Sequence, residues 1–207
     1  MENRPRHRRG ILFVVSAPSG AGKSTLVRGA SEDFDFSFIV SCTTREPRQG
    51  ESEGVDYHFL DTMTFQQRIE EGAFLEYAKV HGGSYYGTPR QPVLERIQLG
   101  QDVLLDIDVE GAQQIRALDI PWVQESLVDI FIMPPEIEEL EKRLRERGTE
   151  SEEQIQTRLT TASRELPRWS EYQYTILSRS KEEDLLKFKS IIIAERMRAS
   201  RYHAGPE

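Results

Sequence analysis

The stretch that most constrains this chain is Ala17-Pro18-Ser19-Gly20-Ala21-Gly22-Lys23-Ser24. It follows an apolar, β-branched run, Ile11-Leu12-Phe13-Val14-Val15, which reads as a buried strand. It precedes Thr25-Leu26-Val27-Arg28, a plausible first helical turn. A glycine-rich loop between a strand and a helix, closed by lysine and serine, lets backbone N–H groups wrap phosphate oxygens. Gly20 and Gly22 permit the curl, and the helix N-terminus adds partial positive charge. Residues Ala17, Pro18, Ser19, Gly20, Ala21, Gly22, Lys23, Ser24 and Thr25 are therefore assigned to a nucleoside triphosphate. Lys23 is expected at the outer phosphates and Ser24 at magnesium. Ala17 stands where the strict pattern has glycine. The alternative is an ordinary Gly/Ser turn, and Lys23-Ser24 directly behind a buried strand argues against it.

The rest of the composition sets limits. The 207 residues are enough for one substantial core with room for an inserted lobe or two. A formal net charge of −8 argues against a general nucleic-acid binder, so any positive field for phosphates must be local. A single cysteine, Cys42, excludes an internal disulfide framework and suits a reducing compartment, here expected to be the cytoplasm. Arg4, Arg6, Arg8 and Arg9 precede an apolar run as in an export signal, but that run breaks at Ser16. A solvated basic tail over about residues 1–8 is expected instead, and no later stretch has the length of a membrane span.

Along the chain, 38–42 and 56–60 read as short strands separated by a polar loop that Pro47 and Gly50 mark. A short helix from Thr62 ends at Gly72, and 74–80 and 84–86 flank Gly82-Gly83 as a hairpin. A helix over 92–99 and a strand over 102–108 restore the α/β rhythm, followed by a strand over 127–133. Pro134-Pro135 starts a helix running to about Arg147, and Ser151 to Gln154 has the form of a capping box for the next. A strand over 174–177 and a helix lined by Leu185, Leu186, Phe188, Ile192 and Ile193 close the chain. The expected division is a core of about 9–40, 90–135 and 166–200, an inserted lobe of about 41–89 and an excursion of about 136–165.

Several groups can carry chemistry on this frame. Asp106 ends an apolar strand downstream of the loop, where a carboxylate helps hold magnesium. Asp108 shares its side if the strand persists, and a turn-former before Gly111 is the alternative. Arg45 and Arg48 flank Pro47 and suit bidentate grip on a phosphate dianion, especially beside Tyr57. Glu76 could accept two hydrogen bonds from a guanine edge, which adenine cannot supply, although the solvent face of an alternating strand fits its spacing too. Arg143, Arg147 and Arg158 on two helices could close as a lid over transferring phosphate. A surface ion pair with Glu139 explains Arg143 as well. His81 reads as a turn residue and Cys42 as an unreactive thiol.

Taken together these residues resemble the guanylate kinases, over roughly residues 9 to 200. The resemblance is carried by Ser16 to Ser24, Ser41-Cys42-Thr43-Thr44-Arg45-Glu46-Pro47-Arg48 and Gly54-Val55-Asp56-Tyr57-His58-Phe59. Phe74-Leu75-Glu76-Tyr77-Ala78, Tyr85-Tyr86-Gly87-Thr88, Leu105-Asp106-Ile107-Asp108 and Arg147-Gly148-Thr149-Glu150 extend it. It implies an α/β fold: a P-loop NTPase parallel-sheet core, an inserted mixed α/β GMP-binding lobe and a helical lid. It implies magnesium-dependent transfer of the ATP γ-phosphoryl group to GMP, with dGMP a candidate acceptor. Arg45, Arg48, Tyr57 and Tyr86 would hold the GMP phosphate, and Ser41, Glu76 and Thr88 the guanine. Lys23, Arg143, Arg147 and Arg158 would stabilise the transferred group, and Asp106 and Asp108 would serve the magnesium and acceptor region. Partners would be these small molecules rather than nucleic acid or membrane, with self-association left open. Glu110 stands where members usually carry glutamine, and Ser178-Arg179 where asparagine and aspartate commonly follow the last core strand.

Overall fold

A computed structural model describes residues 6–18, 21–80, 83–148 and 151–204. In chain order its elements begin with β1 (Arg6–Arg8), β2 (Leu12–Ser16), α1 (Lys23–Ser31), β3 (Cys42–Thr43), β4 (His58–Phe59) and α2 (Thr62–Glu70). Next come β5 (Phe74–Lys79), β6 (Tyr85–Pro89), α3 (Arg90–Gln98), β7 (Val103–Asp106), α4 (Val109–Ala117) and α5 (Pro121–Ser126). The last are β8 (Leu127–Met133), α6 (Ile137–Arg147), α7 (Glu152–Glu165), a 3-10 turn (Leu166–Glu171), β9 (Tyr174–Leu177), α8 (Lys181–Arg196), a short 3-10 turn (Ala199–Arg201) and β10 (Tyr202–Ala204).

The central sheet has the order β7-β2-β8-β9, and every pairing in it is parallel. Parallel strands need crossovers that cover both faces, so their sequences run continuously apolar. That is why β2 carries no polar residue before Ser16. Leu12 and Val14 enter one cluster with Val93, Ile97, Leu105 and Ile115. Phe13 and Val15 enter the opposite one with Leu26, Val128, Ile130 and Phe188. Where β2 begins, the chain passes so close to the turn after α3 that a Cβ on Gly10 would lie 2.1 Å from the Gln101 carbonyl oxygen. Only glycine fits there.

A second sheet, in the order β4-β3-β6-β5, mixes parallel and antiparallel pairs. It holds a small core of Cys42, Phe65 and Phe74, with the Phe65 ring stacked on Phe74 at 4.5 Å and on Tyr85 at 5.3 Å. The two sheets are joined through β5. Leu75 packs into the central cluster, and the Gln114 side chain of α4 bonds both the N–H and the carbonyl of Tyr77.

Four expectations are corrected. Of the strand expected over 38–42 only Cys42 is one, as the start of β3: Ser37 bridges to Val103 and Cys42 pairs with Gly87, so 38–41 cross between sheets with Phe38 largely exposed. The strand expected over 56–60 is only His58–Phe59. The strand expected over 102–108 ends at Asp106, because Asp108 takes the N-cap of α4 by accepting from Gly111 N at 2.7 Å. The basic tail is not simply solvated. β1 pairs antiparallel with β10, and Arg8 reaches the buried Asp102 carboxylate at 2.6 Å. On α8, Phe188 and Ile192 are buried, whereas Leu186 and Ile193 face outward. His81, Gly82, Thr149 and Glu150 lie outside the described residues.

Candidate active site

The donor half is assembled by strand register. Parallel pairing of β2 with β7 sets Val15 beside Asp106, so the loop leaving β2 meets the carboxylate at the end of β7. Gly22, at φ 91°, turns the chain into α1 with no side-chain cap, which leaves first-turn N–H groups to bind an anion. Lys23 Nζ lies 2.6 Å from Asp106 Oδ1 and donates to the Ile107 carbonyl at 2.8 Å. Ser24 Oγ donates to Asp106 Oδ2 at 3.4 Å. A hydroxyl and a carboxylate side by side suit a hard divalent cation that brings its remaining ligands as phosphate oxygens and water. Among the described residues there is no cluster of three or more His, Cys, Asp or Glu side chains to cage such an ion. Ala17 and Ala21 are buried, and Ala21 N donates to the Pro18 carbonyl at 3.1 Å. Ser19 and Gly20 fall outside the described residues.

Beside the loop lies a cavity of about 180 Å³, lined by Gly22, Thr25, Ile132, Arg143, Ser178 and Arg179 among others. The Ser178-Arg179 pair is explained by Asp184, a buried carboxylate on the same wall. It accepts from Ser178 Oγ at 2.6 Å and from Arg179 N at 2.9 Å.

The second sheet gathers the other candidates. Arg45 donates from Nε to the Tyr86 hydroxyl at 3.0 Å, and its guanidinium lies 5.5 Å over the Tyr57 ring. Tyr57 in turn meets Tyr86 edge-on at 5.8 Å. Glu51, which the sequence reading did not single out, accepts both terminal nitrogens of Arg45 at 2.9 Å and the Arg48 N–H at 2.8 Å. These hydrogen bonds hold its carboxyl below the usual carboxylate range. Arg48 itself is exposed. Ser41, just before β3, accepts from His58 N through its carbonyl.

Glu76 is not a solvent-face residue: it is 8% exposed and pairs across the hairpin with Thr88, whose hydroxyl donates to Glu76 Oε1 at 2.5 Å. Burial raises the Glu76 pKa, and the nearby Asp108 charge adds to the rise against the Thr88 hydrogen bond. Its other oxygen rests against the first turn of α4, where a Cβ on Gly111 would come within 3.1 Å.

The arginines divide. Arg143 donates to Glu139 at 2.9 Å, the ordinary ion pair, while also lining the cavity beside Gly22. Arg147 ends α6, and its side chain is outside the described set. Arg158 lies in the middle of α7, which packs against α6. At the end of α7, burial and the charges of Asp108 and Glu110 push Glu165 up to about 7, opposed by Lys23 and Arg168. Glu165 was missed because nothing in a helix-ending glutamate announces its neighbours.

The guanylate kinase family model matches residues 9–195. The chain belongs to the guanylate kinase family. A guanylate kinase of Zymomonas mobilis is 47% identical over 197 residues, covering 94% of this chain and 88% of that one. A guanylate kinase of Sphingopyxis alaskensis is 48% identical, covering 94% and 87%. The crystal structure of guanylate kinase from Anaplasma phagocytophilum superposes with a TM-score of 0.70 at 32% identity, covering 96% of this chain and 92% of that chain. The central sheet is thus the parallel core of a guanylate kinase with a P-loop fold. Guanylate kinases are ATP:GMP phosphotransferases, and this chain is one of them.

Proposed function

We propose that the cleft between the P-loop and the second sheet carries out transfer of the ATP γ-phosphoryl group to GMP, with the roles divided as follows. ATP lies along the loop, with its base toward the cavity at Ser178 and Arg179 and its outer phosphates at Lys23. Arg45, Arg48, Tyr57 and Tyr86 take the GMP phosphate, and Ser41, Glu76 and Thr88 take the guanine. Asp108 borders the acceptor, and Arg143, Arg147 and Arg158 add positive charge to the transferred group. The stretch of about 41–89 then acts as the acceptor lobe and that of about 136–165 as the lid.

The observation that carries this reading is the juxtaposition made by residues 106–111. Asp106 holds Lys23 at 2.6 Å, while five residues on Gly111 backs onto the Glu76 carboxylate. One short segment therefore meets both substrates. Magnesium fits Ser24 and Asp106, where it would neutralise charge on the phosphate oxygens. The remaining work is positioning: the GMP phosphate is already ionised and needs no strong base. Arg45 and Arg48 orient that nucleophile, and Lys23 moves from Asp106 onto incoming phosphate. The buried Glu76 favours guanine because its free oxygen and Oε1 can accept from N1–H and the 2-amino group. The single cysteine suits a reducing compartment, and the cytoplasm is the one proposed; dGMP, lacking only a ribose hydroxyl, is a candidate acceptor, and self-association is left to direct measurement.

The test is ADP release from ATP and magnesium with GMP, AMP, CMP, UMP and dTMP offered separately. Turnover confined to GMP is expected. Equal turnover with AMP would remove Glu76 from its role, and binding of GMP without turnover would remove the donor assignment.

A further inference from the structure

Arg168 belongs to no motif, yet every nitrogen of its guanidinium is committed to a hydrogen bond. It sits in the 3-10 turn that follows α7. Its Nη1 donates to Glu110 Oε1 at 2.7 Å and its Nη2 to Gln113 Oε1 at 2.7 Å. Residues three apart share a helix face, so one guanidinium fork bridges the first and second turns of α4. Its own position is fixed by Glu171, which it meets at 3.0 Å through both Nε and Nη2. Glu171 also accepts from Arg116 at 2.6 Å. Arg116 is anchored on the buried Asp129 at 2.9 Å, with its guanidinium 4.4 Å above the Tyr172 ring.

The adjoining face of α4 looks toward the acceptor half, Gln114 lying one turn on from Glu110. Gln114 clamps the backbone of Tyr77, the residue after Glu76, and Gly111 backs the Glu76 carboxylate. Asp108 caps the same turn. Glu110 puts a further carboxylate into a neighbourhood that already holds Asp108 and Glu165. Arg168 is the cation that pairs with it.

We infer that Arg168 is a positioning residue for the GMP site, acting through the first turn of α4 on Glu76; this rests on the reading of Glu76 as the guanine carboxylate. Without Arg168 the start of α4 loses its ties through Glu110 and Gln113, and Glu110 is left unpaired among carboxylates where a substrate dianion must enter. The effect belongs to acceptor binding, because the fork's partners on α4 are Glu110 and Gln113, whereas Lys23 bonds Asp106 and the Ile107 carbonyl ahead of the helix.

Steady-state kinetics of the full chain with GMP and ATP varied separately provide the test. Arg168→Met is expected to raise KM for GMP about tenfold, with kcat and KM for ATP within about twofold of the unmodified chain. Glu110→Gln keeps a hydrogen-bond acceptor for Arg168 and is expected to stay within about twofold throughout. Adding Glu110→Gln to Arg168→Met removes the unpaired charge and is expected to recover KM for GMP to within about threefold. Should Arg168→Met not fold, Arg168→Lys, which has no fork, is expected to show the same split at smaller size. A parallel rise in both KM values, or no rise for GMP, overturns the proposal. Glu76→Gln serves as the control: if it leaves KM for GMP unchanged, the guanine assignment has failed, whereas a rise there with none in Arg168→Met condemns Arg168 alone.

Discussion

At the scale of single residues, Gly111 and Glu165 make opposite demands on the same neighbourhood. Gly111 lies inside α4, where alanine is the better helix former by about 1 kcal/mol. Its added Cβ, however, would press on Glu76 Oε2 at 3.1 Å. Gly111→Ala is therefore expected to leave the melting temperature unchanged or raised while KM for GMP increases several-fold; a lower KM would contradict the backing-wall geometry. Glu165 is a charge the fold disfavours. Its pKa is near 7 in the folded chain, above an ordinary carboxylate, so the folded state binds more protons than the unfolded state between about pH 4.5 and 7. Stability then declines as pH rises through that window and stays reduced above it. Glu165→Gln escapes the penalty: melting temperatures should match at pH 4 and favour the variant by a few degrees at pH 8, partial exposure keeping the gain small. A variant less stable at pH 8 would mean that the carboxylate has a stabilising partner.

At the scale of elements, legibility followed the range of the physics. The strand and helix that flank the glycine-rich loop, the capping box, β8 and β9 are written in local spacing, and the structure shows each where its residues place it. The helices α4 and α5 were not anticipated, since Asp108 reads equally as the end of a strand until Gly111 supplies the N–H that makes it a cap. The short β3 and β4 also defeated local reading, because two-residue strands are set by pairing partners distant in sequence. Glu76 shows the limit for the site: alternation favours an exposed residue, and only α4 packed over β5 buries it. The capping box makes a testable element. Ser151 N donates to Gln154 Oε1 at 2.8 Å and Gln154 N to Ser151 Oγ at 3.3 Å. Ser151→Ala should weaken α7 by about 1 kcal/mol. Hydrogen exchange should accelerate in its first turn, with protection of β2 and β8 unchanged; uniform acceleration would mean that α7 opens only with the whole fold.

At the scale of the whole molecule, Asp102 ties distant parts of the chain into one body. Its side chain is fully buried and accepts from Arg8 at 2.6 Å, from Ile11 N at 2.9 Å and from Arg196 at 2.7 Å. Asp102→Ala leaves two guanidinium groups without their shared partner and should cost about 3 kcal/mol, with kcat of the folded fraction preserved. Loss of turnover with unchanged unfolding midpoint would be the contrary result. That hub could not be foreseen, since it joins residues at opposite ends of the sequence and the basic residues beside it look like a tail. The same chain carries a single thiol, Cys42, sealed in the small core of the second sheet, with burial raising its pKa. A thiol reagent can reach it only when that sheet opens, so the alkylation rate is a clock for opening events. In the proposed site GMP is held by Arg45, just past the strand that carries this sulfur, and by Tyr86 on the strand paired with it, so GMP would have to leave before the clock could tick. Labelling should then slow in proportion to 1 + [GMP]/Kd, about a hundredfold at a hundred times Kd. Every molecule thus carries a probe from which acceptor affinity can be read with no ATP present and no phosphoryl group moved.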